Sequence, residues 1–543
     1  MKYNNTNRNI FLPLLVAISL AAGILLGIYL PRENDVQQRT GLRPRNDKIN
    51  SILNIIESNY VDTVNRNVLV ESAIPAILKN LDPHSVYIPA KDLKRANEPL
   101  QGNFDGIGIS FNMLTDTILV ISTIPGGPSE KLGLMPGDKI LFINDSLVAG
   151  RGISDDKIMG MLKGPRGTLV KVKILRKGQK DLLDYDIIRD KIPIYSVDVS
   201  YMVNKNTGYL KINNFAMTTF DEFMKGLREL KNQGMQKLII DLRGNSGGIM
   251  ESAIQIANQF LKEGQLIVYT KGRTQPRNEA RATGKGEFET GDLVILIDEW
   301  TASASEILAG AMQDNDRATI IGRRSFGKGL VQEPFQFSDG SGLRLTIARY
   351  YTPTGRSIQK PYNNGFEEYF ADLTNRFDRH EFENSDSIHF ADSLKYTTPG
   401  GKVVYGGGGI MPDKFIPVDT SGISPFFLKS RPLIYQFAMK YTENNRETLT
   451  KFHEAGEMEK YLDKQSLTDQ FVSFAAKNKI HADPADLKTS GKLIQIQIKA
   501  YIARNILDNK GFYPIWEEID TTLKYAIDYL KHDQQAMTPG GPE

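Results

Sequence analysis

Short apolar runs alternate with amphipathic segments between residues 195 and 352, and this alternation constrains the fold more than any other feature. The runs at 208–215, 237–242, 293–298 and 318–322 have the length and the β-branched content of buried strands. The segment after the first run has apolar residues at helical spacing, with a capping-box pattern at Thr219 and Glu222 and a terminating Gly234. Because strands that alternate with helices build sheets covered by helices, we predict an α/β core over residues 191–360.

The remaining segments predict further units, since a chain of 543 residues is too long for one ordinary core. Residues 45–102 carry apolar residues at helical spacing and predict an N-terminal helical segment, and the glycine-punctuated β-like runs of 103–190 predict a small β-rich module. Residues 361–412 are interpreted as a polar insertion followed by a return to the core, with no role assigned. Residues 413–543 predict a helical region that could dimerise, cap the core or bind an adaptor protein.

The N-terminus carries a targeting signal. Lys2 and Arg8 precede the apolar run 10–30, which is long enough to span a bilayer as a helix. We therefore expect residues 1–9 in the cytoplasm, a transmembrane signal-anchor at 10–30 and a tether at 31–44, with a cleaved signal peptide as the alternative. The expected location is the bacterial inner membrane, with the rest of the chain in the periplasm or exterior.

Composition excludes several classes of function. The 67 basic and 64 acidic residues leave a net charge of +3, so no strong field favours nucleic acid as a partner. Cysteine is absent, so any nucleophile must be oxygen or nitrogen. The six histidines lack zinc-site spacing, and neither a metal nor another cofactor is expected.

Three stretches of the predicted core have the residue types of a hydrolytic site. In 301–306, both Ser303 and Ser305 lie where a helix begins after a strand, so free N–H groups there would stabilise an oxyanion. The glycines of 241–248 expose backbone N–H groups, and Lys328 lies between two glycines, where burial would favour its neutral form. Each stretch alone is typical of a helix cap or a turn, and Glu306 and Asp314 are interpreted as ordinary helix charges.

Taken together, these stretches resemble the carboxy-terminal processing, or tail-specific, proteases. The resemblance rests on residues 302–307, on Gly327-Lys328-Gly329 with Gln332 four residues after the lysine, and on 241–248, and it covers roughly residues 45–415. It implies Ser303 as nucleophile, Lys328 as base, Gln332 as the group that orients the lysine, and Ala304 with Gly247 as oxyanion donors. Residues 81–87 resemble a structural landmark of the family. The family's core is of the crotonase/Clp-protease type, so the predicted fold is an α/β core with an inserted β-rich domain and helical regions on either side.

The β-rich module resembles a PDZ domain. Gly106, Ile107, Gly108 and Ile109 resemble the loop that binds a peptide's terminal carboxylate, and the glycine-rich segments at 126–140 resemble the rest of that domain. The resemblance implies a serine endopeptidase that cleaves envelope proteins with accessible C-termini, with a homo-oligomer or an adaptor as a further partner. The alternative is a non-catalytic PDZ scaffold on a protease-like core.

Overall fold

A computed structural model describes residues 47–536 except residue 115. The expected cytoplasmic terminus (1–9), signal-anchor (10–30) and tether (31–44) lie outside the described residues. None of the helices in the described part of the chain is both long enough and apolar enough to cross a bilayer. The chain divides into two compact units, one up to Ala76 and the other from Ile77 onward.

The first unit contains helix α1 (Lys48–Asn59) and most of helix α2 (Arg66–Leu78). Arg66 joins the two helices, because its guanidinium donates to the side-chain oxygen of Asn54 at 2.7 Å and to that of Asn50 at 2.8 Å. No residue of α1 is buried, although its apolar residues have the predicted helical spacing.

The second unit begins with strand β1 (Val86–Ile88) and helix α3 (Ala90–Gln101), after which the chain enters the β-rich module. The elements of the module are β2 (Asn103–Gly106), β3 (Ile109–Leu114), β4 (Thr117–Thr123), α4 (Pro128–Lys131), β5 (Lys139–Ile143), β6 (Ser146–Leu147), α5 (Asp155–Leu162), β7 (Leu169–Leu175), β8 (Leu183–Ile188) and β9 (Asp190–Pro193). β3, β4, β5, β7 and β8 form an antiparallel sheet in that order, and β6 pairs with β5. β2 pairs with β9, so the chain enters and leaves the module side by side, which is the connection an inserted domain needs.

The α/β core follows the module and contains two sheets. Its elements are β10 (Val197–Met202), β11 (Thr207–Ile212), α6 (Thr219–Asn232), β12 (Lys237–Asp241), α7 (Met250–Ala257), β13 (Leu266–Lys271), β14 (Asn278–Arg281), β15 (Asp292–Ile297), α8 (Ala304–Asp314), β16 (Thr319–Gly322), β17 (Leu330–Gln336) and β18 (Gly342–Tyr351). The first sheet has the order β10, β11, β12, β15, β16 and a last strand from further along the chain, β21 (Lys414–Phe415). All neighbours in it are parallel except β10 and β11, so the α/β prediction is confirmed.

Both faces of this sheet are buried, which explains why its strands are continuous apolar runs. Leu238 and Ile240 point to the face covered by α6, α7 and α8, whereas Ile239 points to the opposite face. One prediction about the helices is wrong. The N-cap of α6 is Thr218, whose hydroxyl donates to the Glu222 carboxylate at 2.7 Å instead of capping the helix. The same carboxylate accepts from the N–H groups that lead into β10.

The second sheet, in the order β1, β18, β13 and β14, has β17 paired with β18. The segment after β18, predicted as a polar insertion, contains helix α9 (Phe366–Asp378), which the prediction missed although Phe366, Tyr369 and Phe370 have helical spacing. Two short 3₁₀ helices follow (Ser385–Ser387 and Asp392–Leu394), and then β19 (Lys395–Thr397), which pairs with β20 (Val403–Tyr405). β21 (Lys414–Phe415) then returns to the first sheet.

The C-terminal region is helical. It contains α10 (Pro425–Leu449), α11 (Ala455–Leu462), α12 (Leu467–Lys477), α13 (Pro484–Trp516), a 3₁₀ helix (Glu517–Ile519) and α14 (Thr521–Ala536). α10 to α13 form an apolar core of their own. α14 packs Leu523, Ala526, Ile527 and Leu530 against the second face of the parallel sheet. Of the three roles left open for this region, capping the core is therefore observed.

Candidate active site

Ser303 lies at the sharp turn between β15 and α8. Its backbone has φ +57° and ψ −116°, a region that residues other than glycine rarely adopt. The Ser303 N–H donates to the carboxylate of Glu306 at 2.8 Å, and its carbonyl accepts from Ile307 N–H at 3.0 Å. These bonds hold the strained residue at the helix N-terminus, with its side chain at the wall of a cavity.

The other candidate serine, Ser305, has a different environment. It is fully buried, and its hydroxyl donates to the carbonyl oxygen of Asn245 at 3.0 Å. Of the two serines that the sequence left open, only Ser303 lines the cavity.

Lys328 precedes β17, and its side chain is held by Gln332. The lysine Nζ donates to the Gln332 side-chain oxygen at 2.9 Å, and the amide nitrogen of Gln332 donates to the carbonyl oxygen of His84. Burial lowers the pKa of the Lys328 amine below its ordinary value of 10.5, and the charge of Arg344 acts in the same direction. Burial therefore shifts the lysine towards its neutral form, and the Gln332 oxygen is a fixed acceptor beside it.

Glu306 connects the backbones of the two candidate residues. One oxygen of its buried carboxylate accepts from the N–H groups of Ser303 at 2.8 Å and Lys328 at 2.9 Å. The other oxygen accepts from the Ser325 hydroxyl at 2.5 Å and from the Gly327 N–H at 2.7 Å. Burial raises the pKa of Glu306 to about 7, against the effect of these four donors.

Tyr350 makes a second connection between the backbones of Ser303 and Lys328. Its hydroxyl lies 3.1 Å from the carbonyl oxygen of Ser303 and 2.7 Å from that of Lys328. The sequence interpretation missed the roles of both Glu306 and Tyr350. The Ser-x-x-Glu spacing at the start of α8 was the signal for Glu306, because it allows the carboxylate to bond the N-cap N–H.

The two candidate oxyanion donors, Ala304 and Gly247, lie close together. A β-carbon built on Gly247 would lie 2.7 Å from the Ser303 β-carbon and 2.9 Å from the Ala304 nitrogen. Ala304 is the first residue of α8, where backbone N–H groups have no partner within the helix. The Gly247 N–H donates to the side-chain oxygen of Asn245 at 2.8 Å, so it must share or exchange that bond to stabilise an oxyanion.

One cavity of about 600 Å³ brings all five predicted residues together. Besides Ser303, Lys328, Gln332, Ala304 and Gly247, its walls include the apolar side chains of Met217, Ile249, Met250, Ile307, Leu330 and Val331. The cavity is therefore large enough and apolar enough to accept part of a peptide chain.

His84 was interpreted as structural, and its ring packs against aromatic side chains. Its Nε2 lies 2.8 Å from the Tyr369 hydroxyl, and the ring makes edge contacts with Phe326 and Phe370. Burial and the charge of Lys328 lower the pKa of His84 to about 4. The ring is thus neutral at physiological pH, and its backbone carbonyl contacts Gln332.

The predicted carboxylate-binding loop of the β-rich module joins β2 to β3. The carbonyl of Ile107 accepts from Ser129 and that of Gly108 from Ile124, and Gly108 has φ +74°. Within residues 47–536 other than 115, no hydrogen bond uses the N–H groups of Ile107 or Gly108. Gly106 ends β2 and Ile109 begins β3. The loop therefore presents backbone donors, as a carboxylate site requires.

No cluster of three or more potential metal ligands occurs among the described residues.

Comparison with known protein families agrees with this architecture. The profile of peptidase family S41 matches residues 206–367, and that of the PDZ domain matches residues 106–187. A profile described as the N-terminal domain of the activating protease CtpB matches residues 30–92, and a family of unknown function, DUF8443, matches residues 427–508. A PDZ domain inserted beside an S41 core defines the class to which the chain belongs.

Relatives with curated descriptions narrow the class further. The carboxy-terminal-processing protease of Bartonella bacilliformis is 36% identical over 322 residues, which are 58% of this chain and 72% of that protein. The carboxy-terminal processing proteases CtpA and CtpB of Bacillus subtilis are each 35% identical over 58% of this chain, and the chain spans 66% and 65% of their lengths, just under two thirds. The photosystem II D1 C-terminal processing protease is 24% identical, with a TM-score of 0.34 over 68% of this chain and 92% of that one. The chain belongs to the family of the carboxy-terminal processing proteases.

Proposed function

We propose that this chain is a serine endopeptidase in which Ser303 is the nucleophile and Lys328 the general base. One observation carries the proposal: a lysine amine with a lowered pKa, bonded to an uncharged amide oxygen, faces the same cavity as a serine at a helix N-terminus. A neutral amine can accept the hydroxyl proton, which a protonated one cannot do.

The proposed reaction has two halves. The Ser303 oxygen attacks the peptide carbonyl carbon while its proton passes to the Lys328 amine, and the resulting oxyanion is stabilised by the N–H groups of Ala304 and Gly247. The lysine returns the proton to the leaving nitrogen as the C–N bond breaks, which leaves an acyl-enzyme. Water then attacks the ester carbon while Lys328 accepts a proton from it. The lysine returns this proton to the Ser303 oxygen as the ester C–O bond breaks, which releases the carboxyl product and regenerates the hydroxyl.

Cleavage of an unfolded test protein such as β-casein tests this reaction. Ser303→Ala and Lys328→Ala should each abolish turnover, whereas the matched variant Ser305→Ala should retain it, because the Ser305 hydroxyl only bonds the Asn245 carbonyl. Undiminished turnover in Lys328→Ala would end the proposed mechanism. Binding of the test protein by the wild type without any cleavage would favour a non-catalytic PDZ scaffold.

We further propose that substrates are proteins with accessible C-termini, which the PDZ domain binds before cleavage. The support is the loop at 106–109, whose Ile107 and Gly108 N–H groups face no acceptor in the described part of the chain. A fluorescent peptide with a free C-terminal carboxylate should bind the full chain, and the same peptide with an amidated terminus should bind at least about 10-fold more weakly. Equal affinity of the two peptides would contradict carboxylate recognition.

The proposed location is the cell envelope, with the protease part in the periplasm or exterior. The support is the apolar run 10–30 after Lys2 and Arg8. Membrane fractionation followed by N-terminal sequencing checks the anchor, and a soluble mature form beginning after residue 30 would refute it. Envelope proteins would then be the substrates.

A further inference from the structure

The turn that precedes β1 is built around the side chain of Asp82. One carboxylate oxygen accepts from the N–H groups of His84 at 2.9 Å and Ser85 at 3.0 Å, and the other accepts from the Ser85 hydroxyl at 2.5 Å. The Thr346 hydroxyl donates to the same carboxylate at 3.0 Å. Asp82 therefore fixes both the shape of the turn and its attachment to β18.

The residue that attaches the turn to β18, Thr346, lies directly opposite Gln332. Thr346 and Gln332 are partners in the ladder between β17 and β18, at a register shift that follows Val331. The turn thus holds the His84 carbonyl where it accepts from the Gln332 amide nitrogen. The nitrogen and the oxygen of a side-chain amide lie on opposite sides of the amide carbon. With the Gln332 nitrogen bonded to His84, its oxygen is therefore directed towards the Lys328 amine.

The carboxylate of Asp82 also acts on the lysine through its charge. Lys328 interacts electrostatically with Asp82 and His84 from the turn, with Glu306 from α8 and with Arg344 from β18, and the Tyr350 hydroxyl of β18 bonds its backbone carbonyl. The negative charges of Asp82 and Glu306 favour the protonated lysine, whereas burial and Arg344 favour the neutral one. Removing the Asp82 charge alone should therefore make the neutral amine available at lower pH.

We propose that Asp82 is a positioning residue for the catalytic lysine, acting through the His84 carbonyl and the Gln332 amide. This inference rests on the proposed function, since it concerns the base of that reaction. The 81–87 turn, which resembles a structural landmark in the sequence, thereby becomes part of the machinery that orients the general base.

A double-mutant cycle on the full chain tests whether Asp82 acts through Gln332. Asp82→Ala and Gln332→Ala should each lower kcat for β-casein cleavage by about 10- to 100-fold with KM little changed, because either change releases the lysine from its fixed position. The double variant should be no slower than the slower single variant, since both changes remove the same interaction. A residue that only stabilises the fold would lower activity by the same factor in both backgrounds, so additive effects would overturn the proposal.

The pH dependence of kcat/KM tests the effect of the Asp82 charge in a variant that keeps the hydrogen bonds of the turn. Asp82→Asn keeps an oxygen that accepts from His84 and Ser85, and the matched variant Asp92→Asn makes the same change on an exposed position of α3. The acid limb of kcat/KM should move to lower pH in Asp82→Asn and stay in place in Asp92→Asn. An unmoved limb in Asp82→Asn would contradict the assigned role.

Lys328→Ala in the same assay separates the two proposals. Wild-type turnover in Lys328→Ala would end the serine–lysine mechanism and with it this inference. Loss of turnover there, combined with additive effects of Asp82→Ala and Gln332→Ala, would overturn only the role of Asp82.

Discussion

Replacing Arg356 by methionine removes the positive partner of a carboxylate that has no access to solvent. The guanidinium of Arg356 donates to Asp314 at 2.7 Å, and both side chains are 0% exposed. Arg356 also donates to the side-chain oxygen of Gln313 and to the carbonyl of Tyr405, each at 2.7 Å. Asp314 ends α8, the helix that begins after Ser303, so this ion pair anchors the far end of the helix that carries the proposed nucleophile.

The expected loss of stability follows from the buried charge. Methionine restores most of the side-chain volume, but Asp314 keeps only the N–H and hydroxyl of Thr354 as donors, at 3.1 and 2.6 Å. An unpaired buried charge of this kind costs about 3–5 kcal/mol. The double variant Arg356→Met with Asp314→Asn has no buried charge, and its loss should be smaller than the sum of the single losses by about 2 kcal/mol or more.

Hydrogen–deuterium exchange of β15 at increasing urea concentrations measures the free energy of unfolding of the α/β core. Arg228→Met is the matched control, because Arg228 makes an ion pair of the same 2.7 Å length with Glu287 in the same core, with 62% of its side chain exposed. The control should leave the unfolding of β15 unchanged. A shift in Arg356→Met of less than about 1 kcal/mol would refute the reasoning, since it would mean that the carboxylate at the end of α8 does not depend on its partner.

Two further predictions concern the site, and a third concerns the stability of the core. Gly247→Ala should lower kcat by about 100-fold or more, because the new methyl group would press on Ser303 and the φ of +98° disfavours alanine. Gly244→Ala is the control: its φ is also positive, at +74°, but the space around it is open, so peptidase activity should stay near that of the wild type. The kcat/KM for peptide cleavage should rise with pH along a limb centred below pH 10.5, because the active amine is neutral and burial lowers the pKa of Lys328. A limb centred at or above that value would contradict the assignment of the base. Asp520→Asn should destabilise the core by about 1–3 kcal/mol in urea unfolding, because Asp520 accepts from both terminal nitrogens of Arg243, at 2.8 and 2.6 Å; an unchanged unfolding curve would show that this link contributes nothing.

The parts of the fold that depend on local sequence patterns could be predicted from the sequence. The strands of the parallel sheet are apolar on both faces and short, so their type and approximate bounds follow from their length and β-branched content. The spacing of the serine, lysine and glutamine identified the family, and all three residues line one cavity.

The parts that depend on distant partners could not be predicted. Glu306 has the appearance of an ordinary helix charge until residues 325–328 are placed beside it, and those donors lie about twenty positions further along the chain. Glu222 fits a capping box equally well, but the strand entry at Ser196 and Val197 competes successfully for its carboxylate. Helix α9 is a different case, because Phe366, Tyr369, Phe370 and Phe377 recur at helical spacing, so its sequence does carry the signal that the prediction of a polar insertion missed.

The position of α14 affects the order in which the protein can be completed during synthesis. The second face of the parallel sheet gains the cover of α14 only when Leu523 to Leu530 have been translated. Until then a nascent chain carries the serine, the lysine and the PDZ domain while part of that face is open to water. Premature termination before α14 would expose Ile239, Val294 and Leu296. A chain that ends before α14 would therefore carry an exposed apolar surface, which favours aggregation.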